Sequence, residues 1–151
     1  MKMLYWCITI CFIGILIFLA LRRPGRHMQL PPDAISVVEI GDTVVKVELA
    51  LSDTEKARGL SGRASLKEDE GMLFVFSNTT RHPFWMKDML IPIDMIWIDE
   101  AGVVVYIAHE AQPDSYPALF GSSVESKYVL EVVAGFAKRH KVEIGTKVQF
   151  K

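Results

Sequence analysis

The sequence predicts a mainly β domain, a compact sandwich or barrel with one or two short helices, preceded by an N-terminal transmembrane helix. Residues 3–21 carry no formal charge, whereas charges are spread through the remainder. The remainder contains several short β-type segments separated by turns. Its helical patterns are brief, and there is no β-α-β rhythm, which favours an all-β architecture. A length of 151 residues predicts one folded domain.

The N-terminal segment MLYWCITICFIGILIFLAL lies between Lys2 and the pair Arg22 and Arg23. At about 1.5 Å per residue, a helix of this length just crosses a hydrocarbon core. The segment is longer than the apolar part of a usual signal peptide and has no small-x-small cleavage pattern around Ala20. We therefore favour an uncleaved anchor over a cleaved signal sequence in residues 1–22, followed by a tether in residues 23–34 and a β domain in residues 35–151.

The charge balance argues against a nucleic-acid partner. The whole chain carries a formal net charge of −1, and four cations lie in residues 1–26, which leaves −5 for residues 27–151. Nucleic-acid binding usually requires a basic face. Both cysteines, Cys7 and Cys11, fall in the hydrophobic segment. The predicted domain therefore has no thiol for a disulfide, a zinc site or nucleophilic catalysis.

The first elements of the domain follow from turn and capping signals. Gly41-Asp42 separates two alternating segments and predicts a two-residue hairpin. Ser52 and Glu55 form a capping-box pattern, and Gly59 stands where a short helix would end. These signals predict one helix over residues 53–58.

The later elements are mainly strands. Residues 71–76 (GMLFVF) and 93–98 (IDMIWI) are apolar on both alternating faces, which is typical of central strands covered on both sides. Residues 99–102 predict a turn into a further strand with the sequence VVVYIAHE. The segment KYVLEVVAG predicts a strand before a turn of helix at Phe136–His140, and VEIGTKVQF predicts the last strand.

The stretch between Pro83 and Pro92 contains the first candidate binding residues. Neither proline can donate a hydrogen bond to a sheet, so we expect this stretch to be a loop at a sheet edge. Trp85, beside Lys87 and Asp88, could stack on a ring or a sugar while the charged groups orient its polar atoms. The alternative is that Phe84, Trp85 and Met86 plug one end of the barrel while the charges face water.

Asp94 is the most conspicuous carboxylate, because alternation places it on the same face as Ile96 and Ile98. A buried carboxylate without a partner would be strongly unfavourable. We expect Arg58, Arg63 or Lys87 to pair with it, either as a structural ion pair or as part of a binding site. Glu131 in the strand YVLEVV poses a milder form of the same problem, and the two carboxylates would permit acid-base chemistry if they converged. The candidate ligand-binding residues are Arg58, Trp85, Lys87, Asp88 and Asp94.

Five ordered blocks resemble the DUF192 family, an uncharacterised ancient conserved region: EKARGLSGRASL, DEGMLFVF, FWMKDMLIPIDMIWID, YVLEVVAG and GTKVQF. The similarity extends over nearly all of residues 37–150. It implies a compact, mostly β domain, often found in exported bacterial and archaeal proteins, without an established activity. Two positions depart from the family pattern: Asp88 stands where asparagine is usual, and Ser61 where methionine is common.

Three functions remain open at this point. The first is a binding module of the cell envelope that recognises a glycan, a small solute or a protein partner. The second is a hydrolase- or lyase-type enzyme that uses Asp94 and Glu131 with Arg58 and Lys87. The third is a non-catalytic scaffold beside other membrane components. The sequence gives no sign of a cofactor, and His82, His109 and His140 lie in separate segments without metal-ligand spacing.

The predicted location is the cell membrane, with one spanning segment and the domain on the extracytoplasmic side. The cations Arg22, Arg23 and Arg26 alone would favour a cytoplasmic C-terminal side. Long folded domains cross largely regardless of nearby charge, however, and the resemblance favours export.

Overall fold

The computed structural model describes residues 31–151. The predicted anchor and most of the predicted tether lie outside these residues. Within residues 31–151, no helix is both long enough and apolar enough to cross a membrane.

The described part of the chain is mainly β, as the sequence predicts. Its seven strands are β1 Val37–Ile40, β2 Thr43–Ala50, β3 Glu70–Arg81, β4 Ile93–Ile98, β5 Val104–Ala111, β6 Glu125–Val133 and β7 Val148–Phe150. Its two α-helices are α1 Asp53–Arg58 and α2 Phe136–Arg139. Short 3-10 turns cover Pro32–Ala34 and Pro113–Ser115.

All seven strands belong to one sheet in the order β5-β4-β6-β3-β2-β1-β7. The sheet curls until its edges approach each other, because Val103 forms a β-bridge with Lys147 just ahead of β5 and β7. The Val104 N–H also donates to the Thr146 carbonyl oxygen at 3.0 Å. The architecture is a curled half-barrel made from a single sheet, which refines the predicted sandwich or barrel.

The predicted hairpin and the first helix are confirmed. Ile40 pairs with Thr43 across the Gly41-Asp42 turn. Helix α1 begins with a complete capping box, in which the Ser52 side chain accepts from the Glu55 N–H and the Glu55 side chain accepts from the Ser52 N–H. These two reciprocal bonds satisfy backbone donors that a helix start leaves unpaired. Helix α1 ends at Arg58, as predicted from Gly59.

Strands β2 and β3 are joined through a helix, although the sequence shows no β-α-β rhythm. Strands β2 and β3 pair in parallel, with Leu49 opposite Leu73, and α1 lies in the connection between them. A parallel pair requires a crossover, which a short helix can provide. The unit occurs once, so it produces no repeating pattern in the sequence.

The sheet carries a separate hydrophobic layer on each face. The layer on the face around which the sheet curls includes residues of all seven strands and the buried side of α2, among them Val38, Val45, Leu73, Ile96, Val104, Leu130, Phe136 and Val148. The second layer lies on the other face of the central strands and is completed by loops, and it includes Leu60, Phe74, Met86, Met89, Met95, Trp97 and Val129. The loop between β3 and β4 therefore lies over the middle of the sheet. Its two prolines had led us to expect it at a sheet edge, and that expectation is wrong.

Candidate functional site

An open pocket of about 270 Å³ lies in the second layer, between α1 and the loop that follows β3. The end of α1 and the turn from Gly59 to Ser61 form one wall, and residues 82–85 form the opposite wall. Side chains of β3 and β6 form its floor. We call this cavity the Trp85 pocket, after the most exposed of its aromatic residues.

Glu131 lies at the floor of the Trp85 pocket. It pairs directly with Met72 of β3 and Met95 of β4, both of which belong to the second hydrophobic layer. Glu131 is only 4% exposed to solvent, and its Oε2 atom has no hydrogen-bond partner among residues 31–151. Burial raises the pKa of Glu131 to about 8, and the backbone N–H of Leu60 opposes this rise only in part. A carboxyl group in this state is mostly uncharged at neutral pH and can donate a hydrogen bond.

Aromatic rings line the space above Glu131. Phe84 makes edge contacts with Phe74, at a ring-centroid distance of 4.7 Å, and with the buried Trp97, at 5.7 Å. His82 stacks on Phe76 at 3.5 Å. Trp85 stands at the opening with 50% of its surface exposed. The pocket therefore offers both ring edges and an accessible indole to an entering molecule.

Two cationic side chains and one histidine complete the lining. Lys56 Nζ lies 5.1 Å from the centre of the Phe76 ring and donates to the Leu51 carbonyl oxygen at 2.7 Å. The Arg58 guanidinium makes no hydrogen bond within residues 31–151. Burial lowers the pKa of His82, and the charge of Lys56 adds to the lowering, so the imidazole is neutral at pH 7. At that pH the lining is positive on balance.

Two hydrogen bonds between loops hold the pocket walls together. Ser61 Oγ donates to the Lys87 carbonyl oxygen at 2.9 Å, and the Gly62 N–H donates to the Asp88 carbonyl oxygen at 2.8 Å. Asp88 has a φ of +55°, a left-handed conformation that asparagine and aspartate tolerate better than most residues. Ser61 and Asp88, the two residues that depart from the family pattern, thus belong to the same contact between two loops.

Of the five predicted ligand-binding residues, the structure brings Arg58 and Trp85 together on one pocket. Lys87 and Asp88 are exposed beside it, but they do not line it, and their contribution is the backbone carbonyls of the loop contact. Asp94 lies apart from the pocket. Trp85 is also not part of a buried plug, although its neighbour Met86 is fully buried.

Asp94 is buried on the curled face of the sheet and holds backbone amides, not a cation. Its Oδ1 accepts from the Glu110 N–H at 2.7 Å and the Gly135 N–H at 3.0 Å, and its Oδ2 accepts from the Ala137 N–H at 2.8 Å. This carboxylate fastens the start of α2 to the sheet.

The expected pairing of Asp94 with Arg58, Arg63 or Lys87 is therefore wrong. Arg63 instead forms a bidentate pair with Glu48, with both N–O distances at 2.7 Å.

Asp94 is the more conspicuous of these two carboxylates in the sequence, but Glu131 is the one with an unpartnered oxygen in the structure. The strand around Glu131 is apolar on both faces, so alternation could not show which face carried the pocket.

Gly59 is the other residue that the sequence did not single out for the site. A β-carbon at Gly59 would lie 3.6 Å from Glu131 Oε2 and 3.2 Å from the Phe74 ring. Within residues 31–151, no three His, Cys, Asp or Glu side chains cluster as a metal site.

Fold and site together define a small β half-barrel domain with an open, aromatic-lined pocket over a buried acid. The chain belongs to the DUF192 family, described as an uncharacterized ACR, whose model matches residues 36–150. No curated protein matches the chain.

Two crystal structures of bacterial proteins are similar to this one. The first, from Sinorhizobium meliloti 1021, is described as a candidate transcription regulator; it is 33% identical, with a TM-score of 0.72 over 76% of this chain and 92% of that chain. The second, a protein of unknown function from Novosphingobium aromaticivorans DSM 12444, is 32% identical, with a TM-score of 0.71 over 76% of this chain and 84% of that chain. Both likenesses support the half-barrel fold.

Proposed function

We propose that this chain is a binding module of the cell envelope, anchored in the membrane by residues 3–21, which holds a small solute in the Trp85 pocket. The observation that carries the proposal is a half-exposed indole over a cavity whose floor contains an unpartnered carboxyl oxygen. Buried polar atoms are normally hydrogen-bonded. A buried polar atom without a partner, on a side chain that lines an aromatic cavity, is a natural place for a ligand group to bind.

The size of the pocket favours a small solute over a glycan or a protein partner. At about 270 Å³ it lies just below the usual range of roughly 300 to 1,000 Å³ for small-molecule sites. An extended glycan or a protein segment would contact mainly the rim. The scaffold alternative gives no role to the unpartnered oxygen of Glu131.

The enzyme alternative has one supporting observation, since a carboxyl group with a pKa of about 8 could act as a general acid. Asp94 cannot assist it, because Asp94 extends to the opposite face of the sheet and its oxygens accept three backbone N–H groups. Lys87 does not line the pocket either. Binding is therefore the function that the geometry supports best.

The anchor and the extracytoplasmic location are the part of the proposal that rests on the sequence alone. An uncharged segment between Lys2 and Arg22 is long enough to cross a hydrocarbon core. A topology reporter fused after Lys151 tests the location. Activity of a reporter that works only outside the cytoplasm supports it, and activity of a cytoplasmic reporter contradicts it.

Solute binding is tested on the full-length chain with labelled tryptophan, by following the indole N–H signal of Trp85 in NMR spectra while a library of small ring compounds is added. We expect a subset of compounds to shift the Trp85 signal, and we expect Trp85→Ala to abolish their binding. Leu90→Ala is the matched control, because Leu90 is a 62% exposed residue of the same loop that does not line the pocket. A library in which no compound shifts Trp85 would contradict the proposal.

A further inference from the structure

The Trp85 pocket combines three kinds of group that together restrict the chemistry of its ligand. Its rim has the cations Lys56 and Arg58, its middle is aromatic, and its floor has one buried carboxyl group. Exposure falls in the same order, since Arg58 is exposed, Phe84 is half-buried and Glu131 is buried. A molecule that satisfies all of them needs a different feature at each level.

The rim favours an anion. Among the described residues, the two acids whose pKa values the charge of Arg58 helps to lower are already engaged. Glu48 pairs with Arg63, and the Glu55 carboxylate accepts the N–H groups of Leu51 and Ser52. The Arg58 guanidinium has no hydrogen-bond partner within residues 31–151. A planar guanidinium is well suited to bind a carboxylate through two parallel hydrogen bonds.

The middle of the pocket favours a flat ring. Phe74 and Phe84 present a T-shaped pair at 4.7 Å, and the exposed indole of Trp85 stands at the opening. Aromatic edges and faces at these positions can pack on a single planar ring. The cavity volume of about 270 Å³ leaves room for one ring with short substituents.

The floor favours a polar substituent at the inner end of that ring. Glu131 Oε2 is buried and lacks a partner among the described residues. A hydroxyl or carbonyl group of the ligand would supply the missing hydrogen bond. An aliphatic end would leave that buried oxygen unsatisfied, which is unfavourable for a polar atom removed from water.

We infer that the Trp85 pocket takes a compact ring compound with a carboxylate at one end and a hydroxyl or carbonyl group at the other. The carboxylate binds Arg58 at the rim, and the opposite group hydrogen-bonds to Glu131 Oε2 at the floor. This inference rests on the proposed function and specifies its ligand class. The competing class is a cation held by the aromatic rings and by an ionised Glu131.

Protonation distinguishes the two classes. A ligand with a carboxylate binds when Glu131 is uncharged, because a second negative charge inside the pocket would repel it. A cationic ligand favours the ionised form of Glu131, so its binding releases the proton of the Glu131 carboxyl group. The other titratable or charged groups that face Glu131 are Lys56, Arg58 and His82. Burial lowers the pKa of His82, so its imidazole gains no charge as the pH rises from neutral, and a guanidinium stays charged.

The test compares three probes that share a ring and a hydroxymethyl group: 4-(hydroxymethyl)benzoate, 4-(hydroxymethyl)benzamide and 4-(hydroxymethyl)benzylamine. Binding to the full-length chain is measured by calorimetry at pH 7. We expect the carboxylate to bind at least tenfold more tightly than the amide and the amine. We also expect its affinity to fall about tenfold between pH 6.5 and pH 9, as Glu131 ionises with a pKa of about 8.

One variant tests the role of Glu131, and two further variants serve as controls. Glu131→Gln keeps a hydrogen-bond donor without an ionisable group, so the affinity for the carboxylate probe should stay constant from pH 6.5 to pH 9. Glu125→Gln, an exposed position on the same strand, should keep the pH dependence of the wild type. Lys56→Arg should also keep it, because this variant retains a cation at the same position and leaves Glu131 unchanged.

Each of the other results overturns the inference. Tightest binding by the amine, or affinity for the carboxylate probe that is unchanged or higher at pH 9, assigns the pocket to another ligand class while solute binding stands. No binding by any of the three probes also contradicts the inference. Only a failure of the wider ring library to shift the Trp85 signal would contradict the proposed function itself.

Discussion

Asp94 and Glu131 lie on the neighbouring strands β4 and β6, one position apart in their pairing, and extend to opposite faces of the sheet. Asp94 pairs with Val132 in the curled-face layer, whereas Glu131 pairs with Met95 in the second layer. Asp94 accepts three backbone N–H groups, and Glu131 has one oxygen without a partner. The sheet therefore separates a structural carboxylate from a carboxyl group at a pocket.

Asp94→Asn should destabilise the domain by roughly 2 to 4 kcal/mol. Asparagine has a single acceptor oxygen, so its amide group would face at least one of the N–H groups of Glu110, Gly135 and Ala137. The free energy of unfolding, from urea denaturation, measures this loss. Asp114→Asn, at an exposed aspartate, is the control and should change stability little. Equal stability of the two variants would show that the fastening of α2 depends on other contacts.

Wild-type stability should fall as the pH rises from 6.5 to 8.5. The pKa of Glu131 is about 8 in the folded state against an ordinary value of 4.5, so between these values the folded state holds a proton that the unfolded state has lost. The unfolding free energy then decreases with pH at up to about 1.4 kcal/mol per unit. Below pH 4.5 this contribution is fully present, and above pH 8 it is lost.

Glu131→Gln removes this titration, so its stability should be nearly constant from pH 6.5 to pH 8.5, where the wild type loses roughly 2 kcal/mol. Urea denaturation at several pH values measures the slopes. The control Glu125→Gln, on the same strand, should retain the slope of the wild type. A wild-type stability that does not change with pH would mean that Glu131 is already ionised at pH 6.5.

Gly59→Ala should both destabilise the domain and obstruct the pocket. Gly59 has a φ of +51°, and an added β-carbon would lie 3.2 Å from the Phe74 ring. Gly62→Ala is a close control, because Gly62 has a φ of +75° but nothing within 4 Å of the added carbon. Both variants should lose roughly 1 kcal/mol or more from backbone strain. Only Gly59→Ala should weaken binding of the carboxylate probe, and equal affinities in the two variants would place the ligand elsewhere.

Trp85→Ala and Phe84→Ala should separate binding from stability. Half of the Trp85 surface is exposed, so its removal should lower the unfolding free energy by less than about 1 kcal/mol. Phe84 contacts Phe74, Phe76 and Trp97. Removal of the Phe84 ring should lower the unfolding free energy by about 2 to 3 kcal/mol. Thermal unfolding checks both values. A large loss of stability in Trp85→Ala would return this residue to the role of a structural plug.

Local signals predicted much of the fold. The Gly41-Asp42 turn, the Ser52–Glu55 capping box and the doubly apolar run of β4 each depend on neighbouring residues, and the structure confirms all three. The parallel pairing of β2 with β3 depends on contacts between distant segments. The last strand is also shorter than predicted, because residues before Val148 form a turn that meets the start of β5.

The candidate site was only partly predictable, for a similar reason. Trp85 could be chosen because it lies close to Lys87 and Asp88 in the sequence. Arg58 was chosen as a possible partner of Asp94, a pairing that the structure does not contain, and it reaches the pocket from the end of α1. The importance of Glu131 arises from its face of the sheet, which a strand that is apolar on both sides does not reveal. Asp94 attracted attention for the same chemical reason, but its partners are backbone amides, which carry no sequence signature.

The most direct test of this account is a pH titration of the Glu131 side-chain carboxyl carbon in the full-length protein, followed by 13C NMR with Glu131→Gln to assign the signal. The titration is made without ligand and again with saturating 4-(hydroxymethyl)benzoate. We expect a midpoint near 8 in the free protein and a higher midpoint with the probe bound, because the bound carboxylate disfavours ionisation of Glu131. A midpoint near 4.5, the ordinary value of a glutamate, unchanged by the probe, would contradict this account.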